Sequence, residues 1–224
     1  MCKLLALILV TITSARTRRD ATENRAALIT AARVMLNRDP DSSLEAIAAE
    51  AGLSRRSVYG HFANRDELVR ELVLSGSLRI ATALDSIAHP EPVVRLALIA
   101  AHLWTESDEV RVMAVIAVRS QLKRYTNDAL RPLRATVLAT IEAGREAGAV
   151  RTDIPAARLA RLAEDGLLAV LEESTREPLS NEDGHRLAML SILGTIGFGW
   201  AEANTFIDSH EILTLGTVSQ GTPE

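Results

Sequence analysis

Polar side chains that can form several hydrogen bonds are concentrated in residues 54–62, whose sequence is SRRSVYGHF. Val58 and Phe62 stand four residues apart, which predicts a short helix with one apolar face. The polar side chains on the remaining faces are Arg55, Arg56, Ser57, Tyr59 and His61. A guanidinium fits the paired acceptors of guanine, and hydroxyls can reach phosphate oxygens. The segment therefore predicts a DNA-binding surface, with an ordinary solvated helix face as the alternative.

The residues before this segment predict a second short helix that would position it. Ser42 and Glu45 stand three residues apart, the spacing of a capping box at a helix start. Apolar residues then share one face as far as Ala51, Gly52 supplies a tight turn, and Ser54 can cap the next helix. Two short helices joined by a glycine-containing turn form the unit that places its second helix in the major groove.

Composition favours helices and a single charge asymmetry. Aromatic residues make up 3% of the 224, and alanine and leucine are abundant, so we predict an all-α protein. Residues 1–70 hold 11 Lys and Arg against 8 Asp and Glu, a balance of +3, whereas residues 71–224 hold 14 against 21, a balance of −7. A basic front and an acidic rear are expected when only the front meets phosphate.

The sequence offers no constellation for catalysis or metal binding. Cys2 is the single cysteine, which excludes an intrachain disulfide and a thiolate cluster. We find no Gly-rich phosphate loop, no His-Glu metal pair and no nucleophile elbow, and His102, His185 and His210 are scattered. We therefore expect no enzyme activity, no metal and no cofactor.

Gly, Pro and Asn clusters divide the chain into helical pieces. We expect a leader over 1–19, disordered; a DNA-binding domain over 20–68; a helical domain over 69–207; and a tail over 208–224, poorly ordered. The predicted helices cover about 22–36, 44–51, 55–62, 65–88, 93–105, 108–124, 128–147, 155–173 and 181–204.

The leader has two open interpretations. One basic residue, the apolar run 4–10 and small residues at 13–15 resemble a weak secretory signal, but export conflicts with DNA binding, and we expect a cytoplasmic protein with no membrane association. The run is also too short to span a bilayer. Arg16, Arg18 and Arg19 could form an arm that reaches a minor groove or a solvated basic leader.

Residues 26–72 resemble the N-terminal domain of the TetR family of bacterial regulators. The resemblance rests on Ile29, on Ala31-Ala32, on the run IAAEAGLS at 47–54, and on VYGHF followed four residues later by Glu67-Leu68. It implies base or phosphate contacts by Arg55, Arg56 and Ser57, and phosphate contacts by Ser43, Tyr59, His61 and Arg65. The sequence departs from the family at Gly60, where a bulkier residue is common, and at the loop 37–40.

For the rest of the chain the resemblance implies a helical ligand-binding and dimerisation domain. Apolar residues that could line a pocket, or equally pack the core, are Trp104, Met113, Ile116, Leu122 and Tyr125. The last two long predicted helices combine leucines with Gly166, Gly194 and Gly197, which suits close helix packing in a homodimer.

The sequence thus predicts a repressor that binds a palindromic double-stranded DNA operator as a homodimer and leaves it when a small-molecule effector binds. An architectural DNA-binding protein without a ligand is the second hypothesis, and a helical enzyme is the third. Footprinting distinguishes the first two, because a regulator protects discrete palindromes whereas a packaging protein covers DNA uniformly.

Overall fold

The computed structural model describes the backbone of residues 2–108, 111, 115, 117 and 123–215. Side chains are described over the same residues except 2–19 and 123–125. Within these residues the fold is all-helical, as predicted, and contains no strand. The chain divides into two compact units, Met1–Leu72 and Val73–Glu224.

The helices follow one another along the chain with short connections. Their bounds are α1 Cys2–Arg38, α2 Leu44–Glu50, α3 Arg55–His61, α4 Arg65–Asp85, α5 Pro92–Glu106, α6 Lys123–Ala129, α7 Arg131–Glu146, α8 Ala156–Arg176, α9 Asn181–Ile196 and α10 Trp200–Ser209. A short 3-10 helix, Glu211–Leu213, follows α10.

Helix α1 begins much earlier than the sequence analysis placed it. We expected a disordered leader over 1–19 and a first helix from 22, whereas the helical backbone starts at Cys2. No residue between Cys2 and Arg38 is glycine or proline, so nothing in the sequence interrupts helical hydrogen bonding. The first breaker is Pro40, directly after the helix ends.

The first unit has a compact core made by α1, α2, α3 and the start of α4. Gly52 joins α2 to α3 with φ +69°, a left-handed conformation that favours glycine. Its N–H donates to the carbonyl of Ala49 at 3.0 Å and closes the end of α2. The fully buried side chains of this unit are Leu28, Leu36, Ile47, Val58, Phe62 and Leu68. Val58 and Phe62 therefore face the core as predicted.

Helix α5 lies at the centre of the second unit, packed against α7 and α9. Its residues from Val93 to Ala101 are all buried except Arg95, which is half-buried, so α5 is apolar almost all round, as a covered helix must be. Near its end the Trp104 Nε1–H donates to Oδ1 of Asn181 on α9 at 2.8 Å. That bond satisfies the polar edge of a fully buried indole.

Two predictions about the end of the chain are wrong. One helix was expected over 181–204, but Gly197 ends α9 with φ +120° and α10 starts anew at Trp200. A poorly ordered tail was expected from Asp208, but α10 continues to Ser209 and Leu213 is buried in the core. The apolar side chain of Leu213 gains its burial against this unit, which orders the backbone up to it.

Among the described helices, none is both long enough and apolar enough to cross a membrane. The predicted helix over 108–124 falls largely outside the described residues.

Candidate nucleic-acid interface and ligand cavity

Helix α2 begins at a serine cap, but at a different serine from the predicted one. Ser43 is the N-cap, and its Oγ accepts a hydrogen bond from the Ala46 N–H at 3.1 Å. Ser42 is buried and its hydroxyl donates to Asp39 Oδ2 at 3.2 Å, so the expected Ser42–Glu45 capping box does not form. Because Ser43 uses its oxygen as the acceptor, its hydroxyl proton stays available for a further acceptor such as a phosphate.

Helix α3 is held by a cap at one end and a core face along its length. Ser54 Oγ accepts from the Ser57 N–H at 3.1 Å, as the sequence predicted. With Val58 and Phe62 fixed in the core, Arg55 and Arg56 are exposed at the N-terminal end of the helix. This is the end from which side chains of a recognition helix reach base edges.

Glu45 on α2 connects to two of the predicted DNA contacts on α3. The Tyr59 hydroxyl donates to Glu45 Oε1 at 2.8 Å, and Arg55 Nη2 lies 3.3 Å from the same oxygen. The Tyr59 bond lowers the pKa of the Glu45 carboxyl, and its own backbone N–H and Arg55 act in the same direction. Glu45 is therefore a carboxylate on the face that we expect to meet phosphate.

The other predicted contacts on α3 differ in how much of each side chain is free. Arg56 is exposed and has no hydrogen bond or ion pair to any described residue. Ser57 and His61 are half-buried. Gly60 is exposed, and a Cβ built on it meets nothing within 4 Å, so the gap that the sequence predicted in this face is open space.

Arg65 is placed differently from the other predicted DNA contacts. Its Nε donates to the Ser42 carbonyl at 2.9 Å and its Nη2 donates to the Pro40 carbonyl. Both bonds tie the start of α4 to the loop between α1 and α2. The Asp39 carboxylate also accepts from the Asp41 N–H, at 3.1 Å, so this loop is ordered by its own polar groups.

Sequence reasoning missed Arg25, which joins three helices of the first unit. Its Nε donates to Glu71 Oε1 at 2.9 Å, its Nη2 pairs with Glu71 Oε2, and its Nη1 donates to the His61 carbonyl at 2.7 Å. The guanidinium also lies 4.3 Å from the centre of the Phe62 ring. An arginine on the first helix and a glutamate on the fourth carry no local sequence signal that would pair them.

The second unit contains a cavity of about 270 Å³. Its walls come from α4, α5, α7, α8 and α9, with Ala117 and Leu130 between α5 and α7. Helix α8 contributes a stripe at helical spacing, namely Ala157, Ala160, Arg161, Glu164, Leu168 and Leu171. This stripe was present in the sequence as an i, i+3, i+4 pattern, and it is the signal that could have located the cavity.

Two arginines and one glutamate are the charged residues among those described around the cavity. Arg134 on α7 forms a forked pair with Glu164, with Nε to Oε2 at 2.8 Å and Nη2 to Oε1 at 2.6 Å. The pKa of Arg134 is raised, chiefly by its hydrogen bond to Glu164. Arg161 is exposed and is not paired with any residue that the structure describes.

Residues 28–72 match the family model described as bacterial regulatory proteins, tetR family. The match covers α2, α3, most of the residues that cap them and the first turns of α4. The chain is a tetR-family regulator.

Solved structures of similar fold support the same architecture beyond the matched segment. RolR in complex with resorcinol is 20% identical, with a TM-score of 0.57, over 92% of this chain and 98% of RolR. SmeT, the repressor of a Stenotrophomonas maltophilia multidrug efflux pump, is 22% identical, with a TM-score of 0.62, over 89% and 97%. FadR from Bacillus subtilis, in complex with stearoyl-CoA, is 12% identical, with a TM-score of 0.65, over 77% and 97%. No curated protein matches the chain in sequence.

In this tetR-family chain the predicted pocket residues do not coincide with the cavity where they can be compared. Trp104 lies in the core, with Arg111 stacked 3.7 Å from its ring centre, and is not among the residues described as lining the cavity. Met113, Ile116 and Leu122 lie outside the described residues, as does the side chain of Tyr125. No group of three or more His, Cys, Asp or Glu within the described parts of this regulator could hold a metal ion.

Proposed function

We propose that this tetR-family regulator is a repressor that binds a palindromic operator as a homodimer and is released by a small molecule. The observation that carries the proposal is the exposed N-terminal end of α3, which presents Arg55 and Arg56 beside a core face fixed by Val58 and Phe62. In the proposal Arg56 contacts a base, while Arg55, Ser57, Tyr59, His61 and Ser43 contact bases nearby or phosphates. Arg65 instead supports the loop that leads into α2.

The dimer contact in this proposal uses a small part of α8 and α9. Most leucines of these helices are buried within their own unit, which leaves Leu162 at 45% exposure and Leu187 at 37% as the large apolar side chains open to a partner. A Cβ built on Gly194 meets nothing within 4 Å, so a second helix can approach there. A two-fold contact would set the recognition helices about 34 Å or somewhat further apart, the spacing of one DNA turn.

The effector in the proposal occupies the cavity of the second unit. A ligand can release DNA only by binding more tightly to a conformation whose recognition helices are wrongly spaced. The printed ligands of two relatives of this fold, resorcinol and stearoyl-CoA, are both organic molecules with apolar parts. We further propose that the protein acts in the cytoplasm and catalyses no reaction.

The deciding experiment starts from the DNA that flanks the gene. A palindrome there should be protected as a discrete footprint and shifted in a gel by the full-length protein. Uniform coverage without discrete protection would instead support the architectural alternative. Compounds that release the wild type should fail to release Ala157→Trp, which fills the cavity from an exposed wall position and should still bind the DNA.

The dimer is tested separately by sedimentation. Leu162→Glu places a charge on the proposed contact and should shift the protein towards a monomer with weaker operator binding. Leu78→Glu is the matched control, because Leu78 is exposed to a similar extent, 49%, but lies on α4. Equal behaviour of the two variants would contradict the proposed dimer contact.

A further inference from the structure

The walls of the cavity in the second unit are aliphatic. Leucine, isoleucine, valine and alanine supply all but five of the described lining residues, and none of these residues is aromatic. Such walls offer a ligand dispersion contacts and apolar burial, but no stacking surface and few hydrogen bonds. A molecule with several polar groups along its length would leave them unpaired against these walls, which costs free energy for each one.

The forked pair between Arg134 and Glu164 adds polarity to one part of the lining without adding net charge. Both ends of the guanidinium fork are occupied by the carboxylate, and Arg134 Nη1 also approaches the Asn127 carbonyl at 3.3 Å. Breaking such a pair to serve a ligand would leave a half-buried carboxylate without its partner. This pair therefore does not provide a free charge to the cavity.

Arg161 is the charged lining residue that is available for a ligand. It lies three residues before Glu164 on the cavity stripe of α8, it is exposed, and it has no ion pair or hydrogen bond to the described part of the chain. Its position joins a cation in contact with water to walls that are apolar. The lining thus has one uncompensated positive charge, at an accessible side chain.

We infer that the effector is an aliphatic monoanion, with its alkyl part against the leucine and alanine walls and its anionic group on Arg161. A straight-chain carboxylate is the simplest member of this class. The inference rests on the proposed function only in taking this cavity as the effector site. Binding the anion at an exposed cation avoids the cost of placing a charge among aliphatic side chains.

The test is a calorimetric titration of the full-length protein, without DNA, using decanoate and 1-decanol below their aggregation limits. The two probes share a chain length and differ in charge. Wild-type protein should bind decanoate about tenfold more tightly than 1-decanol, and Arg161→Gln should remove that preference while leaving 1-decanol binding unchanged. A tenfold difference corresponds to about 1.4 kcal/mol.

Arg158→Gln is the matched control, because Arg158 lies on the same helix, is exposed and is not among the described lining residues. It should keep the preference for decanoate. Stronger binding of 1-decanol than decanoate, equal losses in Arg158→Gln and Arg161→Gln, or no binding of either probe would each overturn the inference. Because operator binding is measured in a separate gel shift without these probes, the repressor proposal can stand when the ligand class fails, and the reverse.

Discussion

The Tyr59 hydroxyl on α3 donates a hydrogen bond of 2.8 Å to Glu45 Oε1 on α2, and the same oxygen lies 3.3 Å from Arg55 Nη2. One carboxylate therefore occupies two side chains that the proposed function assigns to DNA. A hydroxyl has a single proton to donate, so Tyr59 cannot give it to a phosphate while Glu45 holds it. In the free protein Glu45 takes the place that a phosphate oxygen would take.

Glu45→Gln should increase affinity for non-specific duplex DNA several-fold. The change removes the negative charge next to the expected phosphate path and frees Arg55 for an additional phosphate contact. Each added contact steepens the dependence of log K on log salt concentration by about 0.9. Fluorescence anisotropy on a short duplex across a salt series measures both quantities.

Glu50→Gln provides the control for this variant. Glu50 is exposed at the end of the same helix and has no printed contact with another described side chain. It removes the same charge without releasing Tyr59 or Arg55, so it should change the salt slope little. If both variants gave the same affinity and slope, Glu45 would act only through net charge.

Arg56→Ala should weaken specific operator binding by about 1–3 kcal/mol, because a guanidinium paired with a base is lost. The same change should reduce discrimination at one base-pair position. Competition gel shifts with operator variants measure both effects. Arg158→Ala removes a charge of the same sign from α8 and should leave discrimination unaltered; operator affinity that is unchanged in Arg56→Ala would remove Arg56 from the base contacts.

Local sequence signals predicted the first unit well. Ser54, Gly52 and the pair Val58 and Phe62 each act through neighbours within four residues, and all four take the predicted place. Cap selection failed at Ser42 because the choice between Ser42 and Ser43 depends on Asp39, which accepts the Ser42 hydroxyl and withdraws it from the helix. Two adjacent serines look equivalent until that loop is folded.

Longer-range features could not be predicted from local patterns. The fork from Arg25 to Glu71 spans 46 residues, and the cavity gathers residues from five helices. Trp104 seemed suited to a ligand because it is large and apolar, yet the same properties suit it to fill a core. Only the fold brings Asn181 within reach of its N–H and so decides between the two roles.

His185 should make the second unit less stable in acid. Burial lowers the pKa of this histidine, with His102 acting in the same direction, and its Nε2 has no hydrogen-bond partner among described atoms. The unfolded chain takes up a proton near pH 6.5 while the folded chain resists it, so stability is lost as pH falls through that value towards the lower folded pKa. Thermal unfolding at pH 7 and pH 5 should show a smaller loss in His185→Gln than in wild type.

A control for the histidine experiment is His89→Gln, since His89 lies in the loop before α5 and is only half-buried. That variant should lose stability between pH 7 and pH 5 as the wild type does. An equal loss in wild type and His185→Gln would show that other groups dominate acid sensitivity.

Arg25→Lys should destabilise the first unit by about 1 kcal/mol. Lysine keeps the charge but cannot form the fork to Glu71 and also donate to the His61 carbonyl. The partners are about one-third exposed, which limits the effect. Because the His61 carbonyl is at the end of α3, DNA affinity should fall along with the unfolding midpoint. Arg38→Lys, at an exposed position of the same helix, should alter neither.

Gly184→Ala and Gly194→Ala on α9 should have opposite effects on stability. A Cβ at Gly184 would overlap the Trp104 indole, whereas a Cβ at Gly194 meets nothing in its own chain. The first change overpacks a core that Asn181 already holds in register, and should cost about 1–3 kcal/mol. The second gains helix propensity of up to about 1 kcal/mol. Urea unfolding measures both, and a stable Gly184→Ala protein with unshifted tryptophan fluorescence would contradict this packing of α5 against α9.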